Sequence, residues 1–586
     1  MPTSKSWNSA NYLFLITLII LGIAFRFYQF DLRPLHHDES LHGLYSVYFF
    51  QDSINGFYRY NPLLHGPLLY HSLPWTLWVF GINKFAIRLP AVVLGSLILL
   101  LPYLFRQKLS KYTILSLTAV MAFSPTMIYW SRFIRHDNFI FASLLLLIFA
   151  FMKTHGITRS ILIGISVALQ FSAKENTFIH VFFVATFLGY ELFLSKILHS
   201  RKEPLLVSTI GFFKKYKVGL VLGLLTFIII FTHFYSAGFI YFDGVLDGAY
   251  RKSLFYWFEQ HQKERITGPF SYPFLINSLF ESWWVFAIGA HLYFFYKSQS
   301  TLIKILFALS LSISTGFHLI LGDPSQYDFL SNILKLKIPF DYYLFFPLIF
   351  HSVTLTSVYL AQEKRDLALT GFIFFASLFT YSYLGEKVPW LAMYPLISGL
   401  IFFSFFFDGL FQKPILALFI PLILFNVKTA IWTNFSHSYH PSNLLSQVHT
   451  TKEFEDQMHL TRATIETKDH QEYFLVKDSY TWPTTWYLHG MEGYHFSSVG
   501  KTIGSYDFIL AKPEDHEVNV NLSLTHTKNL IPLRSWWLPR YEKLSFPHLL
   551  RYALWKKPWS ESGKNDVALW ERKSIATSTS RSLKSN

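Results

Sequence analysis

Along the chain, long apolar stretches alternate with short polar connections until about residue 432, where the alternation stops. A helix needs about 17–25 mostly apolar residues to cross roughly 30 Å of hydrocarbon. About thirteen windows approach that length, near 12–30, 88–105, 112–130, 138–153, 159–172, 178–195, 218–236, 273–296, 301–321, 338–360, 367–384, 390–407 and 414–432. The pattern predicts a polytopic α-helical membrane protein of about 13 spans over residues 1–432. The first stretch, Tyr12 to Phe30, is too long for a signal-peptide core and lacks a small-residue cleavage pattern, so it is read as a retained first span.

Beyond residue 432 the period changes. Lys452 to Thr467 reads as a helix, whereas Glu472 to Val476, Tyr506 to Leu510 and Val567 to Trp570 read as short buried strands bounded by turn residues. These elements predict a small α/β domain over 433–573. The Ser/Thr/Lys-rich stretch 574–586 reads as a disordered tail.

Composition narrows the class. With 52% hydrophobic and 15% charged residues, the chain carries too little charge to solvate an ordinary soluble surface. The net charge of +15 is spread in short runs between apolar segments rather than in one basic stripe, which argues against nucleic acid as a partner. Short cytoplasmic loops are rich in Lys and Arg. With the N-terminus inside, the runs Arg106/Lys108/Lys111, Lys153/Arg159, Lys196 to Lys217, Lys297/Lys304 and Lys413 all fall on the cytoplasmic side, and only Glu363 to Asp366 is balanced. The loops near 31–87, 131–138, 173–177, 236–272, 322–337 and 385–390, and the C-terminal domain, are then extracytoplasmic, as expected of a multi-pass protein of the cell inner (cytoplasmic) membrane. The absence of cysteine excludes disulfides and thiolate chemistry, and any divalent metal would need His or carboxylate ligands.

Almost every motif with chemical potential falls on the external side. The first loop opens with Leu35-His36-His37-Asp38-Glu39-Ser40, and adjacent carboxylates flanked by imidazoles could deprotonate a hydroxyl or hold a divalent cation. A helix cap made by Asp38 or Ser40 is the plain structural alternative. The same loop continues through Tyr58-Arg59-Tyr60-Asn61-Pro62 and His65-Gly66-Pro67 to an apolar stretch, Leu73 to Phe80, that is too short to span and is expected along the membrane interface. Other loops carry Ser131-Arg132-Phe133-Ile134-Arg135-His136-Asp137-Asn138, Lys174-Glu175 and Glu386-Lys387-Val388-Pro389-Trp390-Leu391. One such loop is ordinarily a structural ion pair between helix ends. Burying an ionisable group at bilayer depth costs at least about 2.5–3.5 kcal/mol, so four such loops on one side suggest a shared polar cavity.

This ordered set resembles the GT-C superfamily of lipid-linked-sugar glycosyltransferases, whose well-known types include protein O-mannosyltransferases and lipid A aminoarabinose transferase. It is more closely similar to the family of flippase-activity-associated membrane proteins. The resemblance covers the membrane region and, more loosely, the tail through Trp482-Pro483, Trp486-Tyr487-Leu488 and Trp536-Trp537. It implies a polyprenyl-phosphate-linked sugar donor, a glycan, lipid or protein acceptor, and transfer with inversion. It further implies Asp38 as general base, with Glu39 assisting it or positioning the acceptor. Arg59, Arg135, Lys174 and Lys387 would meet the donor phosphate, supported by His37, His65, His136, Asp137, Glu175, Glu386 and Trp390. Asn61 stands where relatives carry an acid. A divalent metal is possible but not required, since cationic side chains are present. Two other functions stay open, a lipid-linked-sugar flippase or transporter and a noncatalytic accessory of glycan assembly. A transporter should place polar groups across the bilayer midplane, whereas here they gather at one face.

Overall fold

The computed structural model describes residues 7–51, 58–197, 202–255, 268–320, 345–408, 413–466, 474–477, 480–491, 494–496, 503–537 and 539–573. Seven described helices are long and apolar enough to cross a membrane: Ser9–Phe27, Lys84–Leu104, His136–Lys153, Gly156–Ala173, Asn176–Ile197, Lys217–Tyr235 and Pro389–Phe407. The pair Lys111–Ala122 and Pro125–Ser131, bent by 57°, makes an eighth if it is one broken span. The protein is thus a multi-pass α-helical membrane protein, with seven or eight such spans among the described residues instead of the expected thirteen.

The difference has local causes. The window 273–296 is interrupted, because helix Tyr272–Phe280 ends before Glu281 and a new helix starts at Trp284. Glu281 is 1% exposed and accepts from the Ser124 hydroxyl at 2.6 Å and the Thr126 amide at 3.2 Å, so a buried carboxylate sits at the break. The window 367–384 forms helix Arg365–Tyr383, which opens on Arg365 and Asp366. The windows 301–321 and 338–360 contain the shorter apolar helices Thr301–Thr315 and Phe346–Ala361, and 321–344 lies outside the described residues.

Where two spans meet closely, small residues explain it. Helices Gly156–Ala173 and Lys217–Tyr235 pack through Ser160 and Gly164 against Gly219 and Gly223. A Cβ on Gly164 would strike the Gly223 carbonyl, and one on Gly223 would lie 2.5 Å from the Ser160 carbonyl oxygen. The small-xxx-small spacing on both helices lets backbones approach where lipid gives no hydrophobic driving force.

The chain divides into two compact units. The membrane unit comprises residues 1–28, 58–71 and 91–434, and the second unit comprises residues 29–57, 72–90 and 435–586. The second unit contains a mixed six-stranded sheet of β1 (His449–Thr450), β2 (Phe474–Val476), β3 (Tyr494–Phe496), β4 (Phe508–Ala511), β5 (His526–Trp536) and β6 (Gly563–Arg572), in the order β1-β5-β6-β4-β2-β3. β2 runs parallel to β3 and β4, and the other pairs are antiparallel. Leu475, Ile509, Ala568 and Trp570 pack with Tyr506, Val518 and Leu522 as its apolar core.

The expected helix is present as Lys452–Glu466, and the three expected strands lie within or next to β2, β4 and β6. The long strand β5 was not legible as one, because polar residues, Pro532 and a register shift between Pro532 and Arg534 interrupt its alternation. The stretch Leu73 to Phe80 falls in helix Leu68–Phe80, where Trp75 and Trp78 are each 71% exposed. The expected disordered tail 574–586 lies outside the described residues.

Candidate active site

In the second unit, helix His37–Gln51 starts directly on the acidic motif, which places Asp38 and Glu39 in its first turn, where the helix dipole favours negative charge. The two acids then diverge. Glu39 is fully buried. Arg88 grips it with Nε at 2.9 Å and Nη2 at 2.7 Å, Arg33 approaches at 3.4 Å, and the His36 amide donates at 3.2 Å. Arg88 also donates to the carbonyls of Phe30, Arg33 and Pro34, so all five guanidinium hydrogens are used. Burial alone would raise the Glu39 carboxyl, but Arg88 and Arg33 outweigh it and bring the pKa down to about 2.

Asp38, one residue earlier, keeps 31% of its side chain exposed. Its surroundings are set by two histidines whose tautomers follow from their partners. His36 Nδ1 lies 3.1 Å from the Asp38 amide and must accept, so Nε2 carries the proton it gives to the Gln447 carbonyl at 2.9 Å. Arg534, on β5, donates to His37 Nδ1 at 2.8 Å, which leaves that nitrogen unprotonated. Burial and the Arg534 charge hold His37 down to about 4.

Arg33, Arg88 and Arg534 were not singled out in the sequence. Arg88 did carry a signal, since a guanidinium at the start of an apolar window needs a buried anion. Arg534 carried none, being 497 residues from His37.

The membrane unit holds a second cluster. Asp137, in the first turn of His136–Lys153, accepts from Lys174 at 3.1 and 3.4 Å, from Arg135 Nε at 3.2 Å and from the Tyr394 hydroxyl at 2.5 Å. Arg135 lies over the Trp390 ring at 3.7 Å. Glu175 pairs with His65 Nδ1 at 2.9 Å and accepts from the Tyr60 hydroxyl at 2.5 Å. Burial would raise the Glu175 carboxyl, but these partners bring it below its ordinary value. His65 reaches it through a tight turn. Its own φ is +63°, the Tyr58 hydroxyl donates to its carbonyl at 2.6 Å, and a Cβ on Gly66 would strike the Ser172 carbonyl. Glycine is needed there for close backbone approach. The rings of His65 and His136 are 5.3 Å apart.

Of the expected residues, the membrane unit therefore brings together Arg135, Asp137, Lys174 and Trp390, and separately His65, His136 and Glu175 with Tyr60. Lys387 instead bonds the carbonyls of Ser382 and Leu384 at the end of helix Arg365–Tyr383, where the dipole favours a cation. Glu386 forms no ion pair among the described residues, and the exposed Arg59 lies 5.1 Å from the Tyr241 ring. Among the described residues no three His, Asp or Glu side chains converge as a metal site would require.

No family model matches the chain, and no curated protein matches it. Among solved structures, the chain is similar to ArnT from Cupriavidus metallidurans in the apo state, with 10% identity, TM-score 0.43, and 97% of this chain and 99% of that chain covered. It is similar to the same protein bound to undecaprenyl phosphate at 9% identity and TM-score 0.45, with the same coverage. It is also similar to an Archaeoglobus fulgidus oligosaccharyltransferase, with 13% identity, TM-score 0.37, and 81% of this chain and 61% of that chain covered.

Proposed function

We propose that the protein is an inverting glycosyltransferase that moves a sugar from a polyprenyl-phosphate donor to an acceptor on the extracytoplasmic side of the membrane. The observation that carries the reading is the division of labour between the paired acids. Glu39 is locked into the fold by Arg88 and Arg33, while Asp38 stays partly exposed at the same helix start. In the proposed reaction Asp38 takes the proton from an acceptor hydroxyl or amine as that atom attacks the anomeric carbon, and the bond to the polyprenyl phosphate breaks on the opposite face. Glu39 positions Asp38 by fixing the turn before it.

The leaving phosphate gains charge in the transition state, which preset cations stabilise. Arg135 and Lys174, oriented by Asp137, are the proposed cations of the membrane unit. Lys387 and Arg59 are weaker candidates, since one binds helix-end carbonyls and the other lies against Tyr241. The ordered motifs of the sequence support the donor class, and the positive-inside pattern supports the sidedness.

The test is an assay of transfer from a short-chain polyprenyl-phosphate sugar into membranes of a strain lacking this protein. Asp38→Asn, with expression and folding intact, is expected to abolish transfer, and undiminished turnover would remove Asp38 from the role. Donor translocation in liposomes without transfer would favour the flippase reading instead.

A further inference from the structure

We propose that the second unit carries a hydroxyl-recognition subsite for a carbohydrate acceptor, built on Arg534 and Thr450 beside Asp38. This rests on the reading of Asp38 as the base and adds to it the chemical class of acceptor. β1 and β5 are antiparallel, with Thr450 directly opposite Arg534, so the two side chains share a face. Arg534 Nη2 donates to His37 Nδ1 at 2.8 Å and to the Trp482 carbonyl at 2.6 Å, which fixes the guanidinium next to the acidic turn. The segment before β1 is tied to the same turn by the Gln447 carbonyl bonding His36.

On this face and in the segment leading to it, three buried polar atoms have no hydrogen-bond partner among the described residues: Arg534 Nε, Thr450 Oγ1 and Gln447 Oε1. Thr450 is 0% exposed. Native folds satisfy nearly all such groups, and each one left unpaired costs about 1–3 kcal/mol. Thr450 and the facing Arg534, with Gln447 in the segment that leads to them, mark a place built to meet a ligand.

The donor and acceptor pattern selects the ligand. Arg534 Nε–H can only donate, Gln447 Oε1 can only accept, and the Thr450 hydroxyl does either. A carboxylate only accepts, and a phosphate, even where it keeps an O–H, is an anion set against the Gln447 oxygen and the nearby Asp38 charge. A sugar hydroxyl donates and accepts, and it leaves Arg534 balanced by Asp38. The subsite therefore fits a neutral diol, a second hydroxyl of the acceptor held while the reacting hydroxyl meets Asp38.

The test is hydrogen exchange by mass spectrometry on the full chain in nanodiscs, with methyl glucoside and inorganic phosphate as probes. Methyl glucoside is expected to slow exchange in peptides covering 447–450 and 530–536 by about threefold when its concentration is about twice its dissociation constant. This protection should vanish in Arg534→Gln and in the isosteric Thr450→Val, whose exchange elsewhere reports an intact fold. Absence of protection, persistence of protection in Thr450→Val, or protection by phosphate instead overturns the subsite. The readout needs no turnover, so it is separate from the transfer assay. Loss of transfer in Asp38→Asn without sugar protection defeats the subsite alone, whereas sugar protection with undiminished transfer in Asp38→Asn defeats the role of the base.

Discussion

Glu39 in the second unit and Asp137 in the membrane unit are both buried carboxylates gripped by two cations, and their partners differ in what else they do. Arg88 gives two hydrogens to Glu39 and the remaining three to the carbonyls of Phe30, Arg33 and Pro34. Its chemistry is used up in closing a turn. Around Asp137 the cations are an ammonium and a guanidinium that stacks on Trp390, and a tyrosine hydroxyl completes the shell. That carboxylate orients charged groups instead of fastening backbone. An acid paired with a base can thus serve the fold in one region and preset a cation in another, and only the remaining partners of the base tell which.

The largest effect expected from this contrast is on stability. Arg88→Met leaves the buried Glu39 with only the longer Arg33 contact and the His36 amide among the described residues, and takes the Arg88 donors from three carbonyls, a loss of about 3 kcal/mol or more. Chemical denaturation of the full chain in micelles measures it, and adding Glu39→Gln should restore a large part. Asp38→Asn should cost no more than about 1 kcal/mol, the loss of a partly exposed charge at a helix start. A comparable loss from both acids would erase the distinction on which the catalytic reading depends.

Acid titration gives the next effect. Glu39 falls from its ordinary 4.5 to about 2 on folding, so the unfolded chain takes up its proton first as pH drops. Its stabilisation is whole above pH 4.5 and drains away towards pH 2, amounting to about 3 kcal/mol. His37 falls from 6.5 to about 4, so the unfolded state also protonates first there, and its contribution is lost between pH 6.5 and 4. Stability measured against pH should show two limbs, with Glu39→Gln removing only the more acidic one.

In the membrane unit, Asp137→Asn keeps the shape of the side chain but leaves Lys174 and Arg135 without their anion. The expected cost is about 2–3 kcal/mol, near the loss for a hydrogen bond to a charged group. No change in unfolding would show that the cations do not depend on Asp137.

The sequence disclosed the type of element and the kind of residue better than the pairing. Lys452 to Glu466 is legible from its 3.6-residue apolar period, and β2, β4 and β6 from compact apolar runs, because these patterns report burial over a few neighbours. Lys174 and Glu175 adjoin in sequence and read as an ion pair. In space Lys174 turns to Asp137 and Glu175 to His65 and Tyr60, since neighbouring side chains at a helix end point in different directions. Arg88 read as the first residue of a span, although its charge required a partner the same loop contained. Arg534 could not be found at all, because nothing local records which strand of a distant domain packs against a turn.

The smallest effect tests the second acid of the membrane unit. Tyr60 donates to Glu175 Oε1 at 2.5 Å while His65 holds Oε2 at 2.9 Å, so Tyr60→Phe removes one of two side-chain partners among the described residues and leaves the charge paired. A hydrogen bond to a charged group contributes about 1.5–3 kcal/mol, and the lower end applies where the second partner persists. The loss should therefore be about 1.5 kcal/mol, below that of Asp137→Asn. Gly66→Ala acts on the same pairing through the backbone, because its Cβ would strike the Ser172 carbonyl and push the His65 turn away from Glu175. If Tyr60→Phe costs as much as Asp137→Asn, then Glu175 depends on Tyr60 rather than His65, and the turn at Gly66 exists for some purpose other than delivering the histidine.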